Sequence, residues 1–293
     1  MIQNLNVFSQ KPTRVVLFGG SGFIGKKLFS MLKSNRVEVL SLGSQDLDLT
    51  ETNAVKKIED LIKSTDTIVF LSAITPDKSH NNDALIKNLL MTKHLCQALK
   101  NKHVNHLIYF SSDAVYHSNQ SVVNEESLVA PQNLYGVMHL SREIMISELI
   151  DIPSIVLRVT MVYGFGDTHG SYGPNRFLHS SIKYKEINLF GCGEETRDHI
   201  HVDDVINITN LCINMRSIGV LNVATGKSNS FKNIAKIVSN LFSDKIIINN
   251  KYRINAITHR HYDVTNRLKI FPYRSFINIE KGLCDYNKKL LEI

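Results

Sequence analysis

The segment RVVLFGGSGFIG (14–25) constrains the fold more than any other part of the chain. It begins as a short apolar run of the kind that forms a buried strand. Three glycines follow, spaced G-x-G-x-x-G at Gly20, Gly22 and Gly25, with Gly19 offering a second G-x-x-G-x-x-G frame. Apolar residues then recur with helical spacing at Phe23, Leu28, Met31 and Leu32. A strand that turns on glycines into a helix lets backbone approach a pyrophosphate, and the helix start supplies free N–H groups to hold it. The loop of Gly19, Gly20, Ser21, Gly22, Phe23, Ile24 and Gly25 is read as a dinucleotide cradle, because the strand before it and the helix after it supply the context that a lone glycine triplet lacks.

The same alternation continues. Apolar runs at 37–42, 67–73, 106–112 and 154–160 predict further strands, and helical patterns lie at 50–64, 82–100 and 134–150. Thr50 is expected to cap the helix at 50–64, with Glu51 in its first turn. Apolar strands alternating with helices imply a parallel sheet covered on both faces. The expected class is therefore α/β: a Rossmann-like doubly wound parallel sheet with a smaller C-terminal α/β substrate lobe. Residues 1–160 form the dinucleotide-binding domain in this reading, with a return to the sheet around 202–241, and 161–293 are mainly the substrate lobe.

Composition narrows the partners. With 293 residues there is ample material for a core, and 43% hydrophobic against 21% charged residues is ordinary for a globular chain. The net charge of +7 suits an anionic ligand. The basic residues are scattered and no basic run is interleaved with aromatic platforms, so no nucleic-acid partner is expected. Neither a signal peptide nor a membrane span is read. Cys96, Cys192, Cys212 and Cys284 are widely separated, which fits a reducing cytoplasm.

Strand two ends in SLGSQ (41–45), where an acid gripping the ribose is usual; Gly43 and Ser44 stand there instead. NADP is thus permitted alongside NAD. Asp48 is read either as a contact to the adenine edge or as a helix-entry residue. Strand four ends in Ser111 and Ser112, at the edge where such sheets bind ligands. Tyr135 opens the following helix, and His139 lies one turn later on the same face. A serine that holds a sugar oxygen and a tyrosine that exchanges its proton suit oxidation and reduction of an alcohol or ketone, provided a cation lowers the phenol pKa from about 10.

These pieces resemble the extended branch of the short-chain dehydrogenase/reductase superfamily, the NAD-dependent epimerase/dehydratase family acting on nucleotide sugars. The resemblance runs through GGSGFIG (19–25), DLDLT (46–50), IVFLSA (68–73), Asn88, SSDAVY (111–116), YGVMH (135–139), LRVTMVYGFGD (157–167), GCGEETRDHIHVDDV (191–205), LNVATGKSNSFKNIAKIV (221–238) and YDVTNRLKIFP (262–272). It implies Ser112 as the substrate-polarising hydroxyl, Tyr135 as general acid/base, and His139 in place of the family's lysine. It further implies Ser44, Asp48, Leu49 and Ala73 around the cofactor. Asn88, Asp113, Asn175, Arg176 and Arg197 are implied around the substrate, with Arg197 meeting the nucleotide diphosphate. His199 and His201 are read as framework, not metal ligands. A homodimer through the helices at 82–100 and 134–150 is implied too, as is a place in surface-polysaccharide precursor synthesis.

Two departures matter. A histidine titrates near 6.5, so about a quarter would be charged at pH 7. If His139 is the cation, activity should rise below pH 7; a compensating cation or a bridging water is the alternative. Ser112-Asp113-Ala114 also lacks the glutamate that the family's sugar 4,6-dehydratases carry at the third place, which ranks dehydration low. The leading reading is an NAD(P)-dependent nucleotide-sugar epimerase. A nucleotide-4-keto-sugar reductase and a non-catalytic NAD(P)-binding module are the alternatives.

Overall fold

The computed structural model describes residues 2–79, 81–167, 170, 172–272 and 275–292. They form two compact units. Unit 1 comprises 1–117, 128–159 and 206–223, and unit 2 comprises 118–127, 160–205 and 224–293.

Unit 1 is built on a seven-stranded sheet. Its strands are β1 (Gln3–Asn4), β2 (Arg14–Phe18), β3 (Glu38–Leu42), β4 (Asp66–Phe70), β5 (His106–Ser112), β6 (Ser154–Val159) and β7 (Ser217–Val223), in the order β1-β7-β6-β5-β4-β2-β3. All pairs are parallel except the two-residue β1, which runs antiparallel on the edge. The order reverses at β2, and ligands bind such sheets at that crevice. The chain is α/β with a Rossmann-like sheet.

Helices between its parallel strands include α1 (Phe23–Ser34), α2 (Ala54–Leu61), α3 (Asn82–Asn101) and α4 (Leu134–Ser147), and the helix Val202–Met215 leads into β7. Every residue of β4 and β5 is buried, because helices cover both faces. Val16, Phe18, Ile68, Phe70, Leu95, Leu99, Leu107, Tyr109 and Ile146 pack into one core. Truncating Leu99 to alanine there would cost about 2–5 kcal/mol. At the sheet's amino edge Arg14 forks the fully buried Asp66, with Nε–Oδ1 at 2.8 Å and Nη2–Oδ2 at 2.5 Å. A buried charge is tolerated when it is met this way.

The helix expected over 50–64 is shorter. α2 starts only at Ala54, after Asn53, and Thr50 does not cap it. Thr50 instead donates its backbone N–H and its hydroxyl to Asp48 Oδ1 at 2.8 and 2.7 Å, which closes a local turn. A short polar side chain bonding the backbone two residues on is a strong competitor to helix entry.

Unit 2 holds smaller sheets. Thr196–His201 pairs in parallel with Met161–Tyr163 and antiparallel with Ser228–Ser230. Glu186–Phe190 pairs in parallel with Ile247–Lys251. Its core joins Tyr163, Phe177, Leu178, Ile187, Leu189, Phe231, Ile234, Leu283 and Tyr286. No helix among the described residues is long and apolar enough to cross a membrane.

Candidate active site

Each glycine of the turn answers to a different neighbour. Gly19 has φ +92°, and a Cβ on it would lie 2.6 Å from the Ser72 backbone nitrogen. A Cβ on Gly25 would lie 2.5 Å from the Gly19 carbonyl, and one on Gly20 would meet Ser41. Gly19 and Gly25 are required by the protein's own backbone packing, whereas a Cβ on Gly20 would first meet the Ser41 hydroxyl, a side-chain atom. Gly22 is different: its Cβ would meet only the Gly19 oxygen, at 3.4 Å. The fold does not demand glycine there, and the bare backbone leaves room for close approach of a ligand. Gly22 is also the N-cap of α1, with no side-chain cap bond and no acidic residue in the first turn. The first N–H groups of that helix therefore have neither a capping oxygen nor a neighbouring carboxylate, which is the arrangement an anion requires. The residues present fit a dinucleotide pyrophosphate.

The end of β3 shows an acidic residue that motif spacing missed. Ser44 is exposed and carries no acid, but Asp46 turns back so that its Oδ2 accepts the Gly43 N–H at 2.7 Å. A Cβ on Gly43 would lie 2.7 Å from Ser21 Oγ and 3.5 Å from Asp46 Oδ2. A carboxylate thus stands beside the glycine turn at the end of β3, supplied three residues late. The clue in the sequence was the G-x-x-D spacing, which suits a tight turn with an acid at its close. Asp48 is committed to Thr50, and the two hydrogen bonds hold its carboxyl below the usual range. Leu49 is buried; its carbonyl meets His94 Nδ1 at 2.8 Å. Ala73 is half-buried in the loop after β4.

Ser112 ends β5 and caps the single 3-10 turn Asp113–Val115, accepting the Ala114 N–H at 3.2 Å. α4 begins against that turn. Asn133 caps it by accepting the Gly136 N–H at 2.9 Å. Gly136 is pressed so close that a Cβ would fall 2.2 Å from the Ala114 carbonyl. This contact brings Tyr135 beside Ser112. The phenol is pushed up to about 12, chiefly by desolvation and then by the Asp113 carboxylate; the Ser112 hydroxyl and Arg142 work in the opposite direction.

His139 does lie beside Tyr135, edge-on with ring centroids 4.6 Å apart. It is not the cation expected from its position. Burial, and then the charge of Arg142, hold it well below its ordinary value, so it stays neutral across the physiological range. Its Nδ1 is 2.7 Å from the Tyr109 hydroxyl, and its Nε2 is buried without a partner. No rise in activity below pH 7 follows from such a group.

Asn88 accepts the Ile74 N–H at 2.8 Å and donates to the Ile74 carbonyl at 3.0 Å. Both ends of its amide are used to clamp the loop after β4, rather than being held out to a substrate. Tyr135, Asn88, Ile74 and Met138 line a cavity of about 30 Å³, room for about one water. Glu143, unremarked in the sequence, accepts from Ser111 Oγ at 2.5 Å and pairs with Arg158 at 2.7 Å. Arg158 in turn donates to the Tyr116 hydroxyl at 3.0 Å. This buried network holds α4 to the sheet behind Ser112 and Tyr135.

In unit 2, Asn175 is buried, accepting the Gly164 N–H at 3.1 Å and donating to Asp167. Arg176 is exposed. It lines one depression of about 270 Å³ with His179 and Lys183, and another of about 180 Å³ with Tyr172 and Lys251. Arg197 donates Nη1 to the Thr196 and Thr258 carbonyls at 2.8 Å, and Nη2 to Thr258 Oγ1 at 2.6 Å, so it ties strand 196–201 to the chain at 258. The neighbouring Asp198 collects N–H donors from Thr225, Gly226 and Lys227, a framework role for the RDHIH and NVATG segments. His199 is buried, with Nδ1 3.2 Å from the Arg197 carbonyl, and desolvation pushes it down to about 3.

Known proteins resemble this chain in sequence and in fold. The chain is 25% identical over 278 residues to a dTDP-D-glucose 4,6-dehydratase of Dictyostelium discoideum, covering 80% of this chain and 63% of that protein. It is 25% identical over 295 residues to a putative UDP-glucose 4-epimerase of Methanocaldococcus jannaschii, covering 92% and 90%. Among solved structures, MoeE5 in complex with UDP-glucose and NAD shares the fold, with a TM-score of 0.83 at 23% identity over 95% of this chain and 99% of that one. The model of one family, described as the NAD dependent epimerase/dehydratase family, matches residues 15–224, more than two thirds of the sequence. A glycine turn shaped for a dinucleotide, a serine–tyrosine pair at the sheet's carboxyl edge and this match agree: the chain belongs to the NAD-dependent epimerase/dehydratase family, enzymes of the extended short-chain dehydrogenase/reductase type.

Proposed function

We propose that this protein is an NAD-dependent epimerase of a nucleotide-linked sugar, with a UDP-sugar as the first candidate. The observation that carries the reading is the tight seat of α4 on the turn after β5, Gly136 against Ala114, which sets Tyr135 beside Ser112 at the carboxyl edge of the sheet. Ser72 supports it by joining the two halves of the site. Its nitrogen backs Gly19, and its carbonyl accepts from Arg142 on the helix that carries Tyr135, at 2.9 Å.

Ser112 Oγ holds the sugar oxygen. Tyr135 in its ionised form takes the hydroxyl proton as the carbinol C–H leaves as hydride, so a carbonyl forms. After the keto-sugar turns over, the proton returns from Tyr135 and hydride reaches the opposite face. NAD, when bound, supplies the reversible hydride acceptor. Asp46 beside the glycine turn favours NAD, because its carboxylate would repel a 2′-phosphate. Ala114 leaves no carboxylate at the third place of the Ser-Asp-Ala triplet, so elimination of water has no base there.

The test is incubation of the purified protein and NAD with a panel of UDP-, dTDP-, GDP- and ADP-sugars. Products are read by NMR, and cofactor by absorbance at 340 nm. A new epimer with no net NADH supports the reading. Net oxidation of NAD(P)H by a 4-keto sugar would make the protein a reductase, and a 4-keto-6-deoxy product a dehydratase. NAD binding with no turnover of any sugar would leave the binding module.

A further inference from the structure

Burying a cation costs several kcal/mol unless an anion meets it. Unit 1 shows the usual solution twice: Arg14 forks Asp66, and Arg158 pairs with Glu143. Arg142 breaks the pattern. It is 1% exposed, the largest fully buried side chain of the described residues, and no carboxylate is among its partners. Nε donates to Thr92 Oγ1 at 2.5 Å, Nη2 to the Ser72 carbonyl at 2.9 Å, and Nη1 lies 3.7 Å from Met138 Sδ. The guanidinium carbon sits 4.3 Å from the Phe70 ring centre and 5.2 Å from that of Tyr109. Neutral acceptors and ring faces hold the charge in place, and none of them neutralises it. Packing alone does not account for a guanidinium here.

Geometry shows where the charge is directed. Residues 135, 139 and 142 fall on one helical stripe. A long side chain in a helix leans toward the N-terminus, and the Met138 contact shows that lean, along the stripe that Tyr135 begins. The groups able to become anions around Arg142 are Tyr109, Cys96 and Tyr135. Tyr109 is committed to His139 Nδ1, and the Cys96 thiol lies against the Met145 carbonyl. Tyr135 is the one that meets Ser112. The charges facing Tyr135 from other elements are Asp113 in the 3-10 turn and Asp77 in the loop after β4, both of which oppose its ionisation. His139 is neutral and contributes no charge.

We propose that Arg142 is the positioning cation for Tyr135: the positive charge that relatives place four residues after the tyrosine has moved to the seventh, one turn along the same helix face. His139, anchored by Tyr109, fills the vacated place as a neutral ring that braces the phenol edge-on. This rests on the reading of Tyr135 as the acid/base. A guanidinium keeps its charge at any working pH, so its help to the phenolate does not titrate.

The test relocates the charge. Arg142→Met, Arg142→Lys, His139→Lys and the double variant His139→Lys/Arg142→Met are compared with wild type in the full chain with NAD. Two readouts are taken: the thermal unfolding midpoint, and the acid limb of kcat/KM for the nucleotide sugar found in the panel above. Arg142→Met is expected to move the acid limb up by about one pH unit, a loss of about tenfold on that limb. Arg142→Lys should hold most of the limb in place. The double variant should bring it back, since a lysine at 139 restores the charge. His139→Lys alone puts two cations in one buried box, so its midpoint should fall below that of the double variant. An acid limb that Arg142→Met leaves unmoved overturns the proposal, and so do midpoint changes that simply add. If no sugar is turned over, the epimerase reading fails, and the thermal cycle still decides whether 139 and 142 share one cation. If Arg142→Met does not fold, a folded double variant supports the shared charge and an unfolded one overturns it.

Discussion

The glycine turn and the buried face of α4 are two parts of the proposed site made by opposite means. The turn is built from backbone. Its shape depends on side chains being absent, and a Cβ at Gly19 or Gly25 would fall on backbone. The α4 face is built from side chains that converge from α3, β4, β5 and α4 itself: Thr92, Phe70, Tyr109, Tyr135, His139 and Arg142. A backbone site has one solution, so its spacing stays legible. A side-chain site has several, because a charge can reach the same phenol from more than one place on a helix.

The comparison is most exposed to Tyr135→Phe. Loss of a positioned acid/base should cut turnover by about 10²–10⁴-fold while NAD affinity and thermal stability hold. A variant that loses NAD binding instead would mean that the two regions are not separable.

Acid separates them next. His106 is pushed down to about 4 and His199 to about 3, and His139 is also lowered, each first of all by desolvation. Their folded values lie below the unfolded value of about 6.5, so below that pH the unfolded chain takes up protons first. Stability is therefore full above pH 6.5 and declines on acidification through the window down to about 4 for His106 and about 3 for His199. The slope approaches about 4 kcal/mol per pH unit for three such groups. Denaturant unfolding at pH 7.5 and 5.5 measures it. The glycine turn contains no ionisable side chain, so turnover at pH 7 to 8 should carry no histidine limb.

Within the turn, Gly25→Ala should destabilise the fold by about 1–3 kcal/mol, because its Cβ meets backbone. Gly22→Ala should leave the melting midpoint almost unchanged, since φ −74° suits any residue, and should weaken NAD binding by about tenfold or more. Equal effects at both positions would remove the assignment of Gly22 to the ligand. The smallest change is expected from Asp46→Asn, which should narrow the preference for NAD over NADP by about tenfold, read by calorimetry with the two dinucleotides.

Legibility followed the same divide. The parallel sheet, its strand ends and the turn could be read because each rests on local pattern: uninterrupted apolar runs and glycine spacing. Ser112 and Tyr135 could be placed because each sits where one of these elements ends. Asp46 escaped because its acid arrives through a turn, three residues past the position that a fixed count inspects. Arg142 escaped because nothing local distinguishes a buried arginine from a surface one; its burial comes from α3 and β4, far away in sequence. Thr50 looked like a helix cap until Asp48 claimed its hydrogen bonds, a competition between neighbours that propensity does not rank.

Ser111, Arg158 and Asn222 are direct partners across β5, β6 and β7, and Tyr116 bridges from Arg158 to Asn222 with a 2.7 Å bond to the latter. One polar rank therefore crosses three adjacent strands on the side where Glu143 waits. Sliding any strand by a single residue would swing its member to the opposite layer, away from the carboxylate. Parallel apolar strands offer little else to distinguish one alignment from the next. In this protein the same carboxylate that steadies the helix of Tyr135 also acts as an index mark, telling the sheet which of its possible alignments is the native one.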